Sequence, residues 1–215
     1  ANFCPIILGE SLGKNVDKAY QKGQQFAQDY PDSHQRAEKI FAFARNKVRY
    51  TPDKDQFGYK EFAQNADELA AFIEDEGIAY GDCEDYAILL ATMYKGAGLR
   101  SAIVLAPGHA ATLVYLPEYN RANQFLSIDG ETGWVWAEAT GGNNPLGWMP
   151  EEFMGAELMA YEVEDEAITK MEPPDKPPTV ITPQGGGSTG IHISPFFGVL
   201  GMMWLLSMFR FRRRR

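Results

Sequence analysis

The stretch Tyr80-Gly-Asp-Cys-Glu-Asp-Tyr-Ala87 runs into a long apolar segment, and its reading decides the fold. Ala87, Leu90, Ala91 and Tyr94 recur at i, i+3, i+4 and i+7, the spacing of one helical face, and Gly98 is a natural stop. A helix is therefore expected over Cys83–Gly96. Beyond it the period changes from helical to alternating. Residues 101–105 and 110–116 are strand-like and are parted by Pro107-Gly108. Phe125–Ile128 and residues 134–139 read as a hairpin around Asp129-Gly130-Glu-Thr-Gly133, because Asp-Gly between apolar runs is a strong hairpin signal. Upstream, residues 16–30, 32–48 and 65–73 carry helical spacing, with Pro31 between the first two and Asp32 or Ser33 as N-cap candidates. Asp67 and Glu68 suit the start of the third, and residues 51–58 read as loop. The class is α+β, with N-terminal helices packed on a mainly antiparallel sheet.

Composition supports one buried core. The chain has 215 residues, 45% hydrophobic and 13% aromatic, too apolar for disorder throughout. The net charge of -9 argues against a nucleic-acid-binding surface, so no nucleic-acid partner is expected. Two cysteines, Cys4 and Cys83, are too few for a disulfide scaffold or a zinc site without other ligands. The charge is unevenly placed. Arg210 and Arg212 to Arg215 lie in the last six positions, and removing their five charges from -9 leaves -14 for residues 1–209.

The chain divides into three zones: a globular domain over 1–163, a Pro/Gly-rich linker over 164–190 in which no fixed structure is expected, and an apolar segment with an arginine end over 191–215. Residues 191–211 are about as long as the ~20 residues that cross a bilayer, so a single C-terminal transmembrane helix is expected. Arginines favour the cytoplasmic side, which puts the C-terminus inside and the globular domain outside the cell membrane. The chain starts at Ala1, and a cleaved export signal is the expected reason. A C-terminal core helix and a tail anchor with a cytoplasmic domain are the competing readings. Gly-Gly-Gly-Ser, an apolar span and an arginine cluster also match the order of a cleavable surface-sorting signal.

The candidate chemistry starts at Cys83. At a helix N-terminus a thiol feels the positive end of the dipole, which lowers its pKa, whereas the flanking Asp82 and Glu84 raise it. A nearby imidazolium would restore the balance. Of three histidines, His34 falls on an early helix and His192 beside the apolar segment, while His109 opens a strand directly after Pro107-Gly108. A sheet packed on the Cys83 helix can bring that strand end to the thiol. Glu138 lies in Trp134-Val-Trp-Ala-Glu-Ala-Thr140, with Trp136 and Thr140 on its own face by alternation. An acid in so apolar a strand needs a partner, and a Cys/His pair needs a third group to orient the imidazole. Asp129 competes for that role, but the hairpin turn already explains it. Trp134, Trp136 and Trp148 are read as core, with Trp136 or Trp148 as candidate cleft walls.

Taken together, Val48-Arg-Tyr-Thr, Asp67-Glu-Leu69, Gly81-Asp-Cys-Glu-Asp-Tyr-Ala87, Gly96-Ala-Gly-Leu99, Pro107-Gly-His109 and Trp136-Ala-Glu-Ala-Thr140 resemble the core of the transglutaminase-like superfamily. Gly147-Trp-Met-Pro-Glu-Glu-Phe153 is similar to the segment after the acid in prokaryotic, especially archaeal, members. The resemblance covers residues 40–153. It implies a papain-like α+β core and a catalytic triad of Cys83, His109 and Glu138, with Glu where many members have Asp. It further implies a protein or peptide substrate and a cysteine peptidase, amidase or protein-glutamine acyltransferase. Asp82-Cys-Glu-Asp85 also resembles the motif of bacterial transglutaminase-like cysteine peptidases, in some of which acids beside the Cys bind Ca²⁺. No cofactor is required by this reading, and Asp82 and Glu84 are the candidate Ca²⁺ ligands, with helix capping as their other explanation. The alternative function is a non-catalytic surface or envelope-scaffold module that keeps the fold.

Overall fold

Helices precede strands in the computed structural model, which describes residues 17–56, 58, 63–164 and 179–181. Helix α1 spans Asp17–Asp29 and α2 Ser33–Lys47. Asp32 is the N-cap of α2, its carboxylate accepting from the Gln35 N–H at 2.8 Å. The chain passes without a loop into β1, Val48–Tyr50, then a single turn α3, Asp53–Gln56, where a loop was expected. Helix α4, Ala66–Glu76, opens with a reciprocal cap between Asn65 and Glu68 and ends at Gly77 with φ 80°. Strand β2, Ala79–Gly81, pairs in parallel with β1, a contact that no sequence period announces.

Helix α5, Cys83–Gly96, has the expected bounds and is buried along nearly its whole length, as a helix apolar on all sides must be. It crosses α1 so closely that a methyl on Gly23 or Gly96 would overlap backbone of the other helix. Its other side meets the sheet. The Ser101 hydroxyl donates to the Ala91 carbonyl and the Thr112 hydroxyl to the Ala87 carbonyl, each at 2.8 Å.

The sheet is formed by β3 (Ser101–Ala106), β4 (His109–Tyr115), β5 (Phe125–Ile128), β6 (Glu131–Ala137), β7 (Leu158–Glu162) and β8 (Thr179–Ile181). Its order is β5-β6-β4-β3-β7-β8, every pair antiparallel. The outer strands β5 and β8 touch, so the sheet curls. Asp129 and Gly130, with φ 51° and 82°, form the two-residue turn between β5 and β6, the conformation for which Asp-Gly is suited. One apolar cluster lies between the sheet and the helices, and a second, containing Trp134 and Trp136, fills the opposite face.

An antiparallel sheet with helices on it fits the expected papain-like core. Residues 179–181 correct the linker expectation, since they form β8 against β7. Backbone pairing there replaces the chain freedom read from composition. The expected transmembrane helix over 191–215 lies outside the described residues, and among those described no helix is long and apolar enough to cross a membrane.

Candidate active site

Asp85 builds the thiol end of the site. It is wholly buried and accepts hydrogen bonds from the Gln64 N–H at 2.7 Å, the Gln64 side-chain amide at 2.9 Å and the Asp82 N–H at 3.1 Å. These bonds tie the segment before α4 to the first turn of α5. They also explain Gly81, where a Cβ would collide with the Asp85 carboxylate. Cys83, a free thiol, is therefore held at the N-terminus of α5. Its Sγ donates to Glu84 Oε2 at 3.2 Å and accepts from the Ala110 backbone N–H.

The imidazole end is set by register. Thr112 bonds to Ala87, so going three residues back along β4 (~10 Å at ~3.3 Å per residue) and one turn back along α5 (~5 Å) leads to His109 and Cys83 at the same end of the layer. His109 is the first residue of β4. Its ring stacks on Phe153, 5.4 Å between centroids and 3° from parallel, and Phe153 in turn stacks on Trp136. His109 Nε2 lies 3.3 Å from Glu138 Oε1, close enough for charge attraction but off the N–H axis. Glu138 also accepts from the Thr140 hydroxyl at 2.6 Å and the Trp136 indole at 3.1 Å. The two donors are the residues that alternation places on its face. Glu138 itself stands one residue beyond the end of β6, not within the strand as expected.

Thus the fold joins His109 to Glu138, and brings Cys83 to the residue after His109. Among the described residues the thiol's side-chain hydrogen bond goes to Glu84, not to His109. A cavity of about 380 Å³ opens beside the imidazole, lined by His109, Glu138, Asn144, Trp148, Glu152 and Phe153 among others. The family model of the transglutaminase-like superfamily matches residues 20–152, more than half of the chain and all three residues. The chain belongs to the transglutaminase-like superfamily. No curated protein matches it. The superfamily commonly includes cysteine peptidases and acyltransferases.

Electrostatics divide this transglutaminase-like site in two. Burial pushes the Cys83 thiol far up, and the charge on Glu84, the hydrogen bond to it and the charge on Asp82 add to the rise, against which the Ala110 N–H acts. Burial first, and then the flanking acids, raise the thiol, the reverse of the lowering expected from a helix N-terminus. Burial also lifts Asp82 to about 8, helped by its hydrogen bond to Glu84 and the Glu84 charge, and lifts Asp85 to about 7 despite the Gln64 bonds. Glu84 is raised by burial too, though its bond to Asp82 pulls the other way. Glu138 behaves oppositely. Burial alone would raise it, yet the neighbouring His109 and the bonds from Thr140 and Trp136 bring it below its ordinary value.

Oxygens of Asp82 and Glu84 lie within 4.8 Å of each other and of Cys83 Sγ, and those of Asp53, Asp82 and Asp85 form a second such group. Asp82 Oδ1 is buried without a hydrogen-bond partner, which fits the approach of a cation. Sequence reasoning missed Phe153 as the floor under His109, Ala110 as a backbone donor and Thr140 as a bond to Glu138. Thr140 had left a signal in its shared face with Glu138, and Phe153 only in the motif that it closes.

Proposed function

We propose that this transglutaminase-like domain is a thiol enzyme acting on protein or peptide amides through Cys83, His109 and Glu138. The observation that carries the reading is the His109–Glu138 approach of 3.3 Å, with Glu138 held by two further donors, at the strand end that meets the helix bearing Cys83. The thiol turns from Glu84 to His109 by rotation about its own side-chain bond. His109 Nδ1 takes the S–H proton as sulfur attacks the carbonyl carbon, and Glu138 orients the ring and stabilises its charge. The Cys83 N–H, at the positive end of α5, donates to the oxyanion. The C–N bond breaks as His109 returns its proton to the leaving nitrogen. Water then attacks the thioester and gives its proton to His109, which delivers it to the departing sulfur. A lysine amine in place of water gives transfer instead of hydrolysis. The segment over 191–215 would anchor the domain to the membrane with its catalytic part outside.

No metal is required. Were Ca²⁺ to bind, Asp82 and Glu84 would hold it, and it would supply positive charge beside the thiol. One observation favours the other reading, a binding module without chemistry: the thiol is half-buried, bonded to Glu84 and held far from ionisation. Labelling with iodoacetamide at neutral pH, read by mass spectrometry, separates the two. Fast selective modification of Cys83, slowed about 10²–10⁴-fold in His109→Ala, is expected of the enzyme. A rate no higher than that of a free thiol, and equal in the variant, would sink it.

A further inference from the structure

The cavity beside His109 has one wall that the chemistry does not use. Trp148 is 38% exposed, whereas Trp134 and Trp136 are fully buried. A single exposed aromatic is ordinary on a protein surface. This one is held in place on both sides. Leu146 and Met149 beside it are buried. The Gly147 N–H donates to the Trp136 carbonyl at 2.9 Å, and the Gly147 carbonyl accepts from Asn123 at 3.0 Å. The Asn123 side chain closes a pair of bonds with Met149, N–H and carbonyl, each at 2.9 Å. Gly147 has φ 89° and no room for a side chain against Ala122, so the turn that presents the indole depends on glycine. The loop is built to hold Trp148 out, at the mouth of the cavity.

The charge of that cavity is equally one-sided. Its charged lining residues apart from His109 are Glu138, which is engaged with His109, and Glu152, which is exposed and forms no ion pair among the described residues. No lysine or arginine lines it among those residues. Arg45, which reaches the Asn144 carbonyl at 3.4 Å, is not part of the wall. An indole and a carboxylate without an ion pair among the described residues, both lining one cavity, are complementary to an alkyl chain ending in a positive charge. The ring attracts the cation, the carboxylate pairs with it, and Phe153 packs against the methylenes.

We infer that the Trp148–Glu152 wall is a specificity subsite for a lysine or arginine side chain of the substrate, next to the amide presented to Cys83. The assignment rests on the thiol-enzyme reading for what becomes of the bound peptide, but the subsite has its own readout. Binding of acetylated hexapeptide amides that differ only in a central Lys, Arg, norleucine or Glu is measured by tryptophan fluorescence on the full chain carrying Cys83→Ser. Lys and Arg peptides are expected to bind about five- to tenfold more tightly than norleucine, as an ion pair and a cation–π contact together allow, with Glu weakest. Glu152→Lys is expected to invert the order of the Lys and Glu peptides, a ratio that a general loss of folded protein does not move. Trp148→Ala is expected to weaken the Lys and Arg peptides more than norleucine, narrowing the preference without abolishing it. Equal affinities, a preference for norleucine, or an order untouched by Glu152→Lys would overturn the subsite. Cation-selective binding by a chain whose Cys83 is inert to iodoacetamide would keep the subsite and discard the thiol chemistry. A reactive Cys83 without charge preference would do the reverse.

Discussion

The two ends of the site use the same functional group in opposite ways. At the strand end, Glu138 is surrounded by donors, so burial does not neutralise it and it stays a carboxylate. At the helix end, buried Asp82 and half-buried Glu84 stand beside each other and beside Cys83 with too few donors, and both are pushed upward. A buried acid is thus a fixed orienting charge or an electrostatic burden according to the donors around it, not its own identity. In this protein the first kind stands beside the imidazole and the second beside the sulfur.

The largest test of that contrast removes the charge at the compensated end. Glu138→Gln keeps one acceptor oxygen of the two that Trp136 and Thr140 use, and loses the negative charge beside His109. That loss of about 1.5–3 kcal/mol should slow Cys83 modification and turnover by about ten- to a hundredfold. A rate equal to wild type would mean that Glu138 is only a strand cap. The opposite end should respond with the opposite sign. Glu84→Gln removes a negative neighbour 3.2 Å from the thiol and should speed iodoacetamide labelling by about three- to tenfold. A slower thiol would show instead that Glu84 activates it.

The smallest effect is on stability against pH. Asp82 and Asp85 have folded pKa values of about 8 and about 7, above the ordinary 3.8. The folded chain therefore binds more protons than the unfolded chain between those limits, and this contribution to stability declines as pH rises from about 4 to about 8. Glu138 lies below its ordinary 4.5, so its contribution is lost only as pH falls below that value. Thermal melts between pH 4.5 and pH 8.5 should show a decline in melting temperature of a few degrees from these groups, reduced in Asp82→Asn. Millimolar Ca²⁺ should offset it in the wild type but not in that variant, and a melt indifferent to both would remove the electrostatic burden from the helix end.

Strong local signals made much of this legible. Cys83–Gly96 is a helix by periodicity and stop signal, and Asp129-Gly130 demands the turn it forms. The β1–β2 pair escaped because three residues are too few to show a period, and Val48 continues the apolar spacing of α2. Strand β7 escaped because Leu158–Glu162 is buried on both faces at its centre and does not alternate. In the site, residue types pointed to Cys83, His109 and Glu138. They could not reveal the Ala110 N–H, which every residue except proline possesses, or the choice of Glu84 as the thiol's partner, which is a matter of rotamer. Phe153 was visible only as part of a motif, since its stacking needs the turn over Glu151–Phe153 to fold back on His109.

The family match ends at residue 152, but the sheet does not. Strand β7 covers one side of β3, pairing Ala102 to Leu105 with Glu162 to Met159. A piece cut to residues 20–152 would start inside α1 and leave β3 a bare edge with its apolar side chains unshielded. Such an edge is a template for a second molecule, so a fragment trimmed to the match is set up to self-associate rather than to stay monomeric. A piece that keeps β3 covered runs to at least Glu162, and one that keeps β7 covered as well runs through β8 to Ile181.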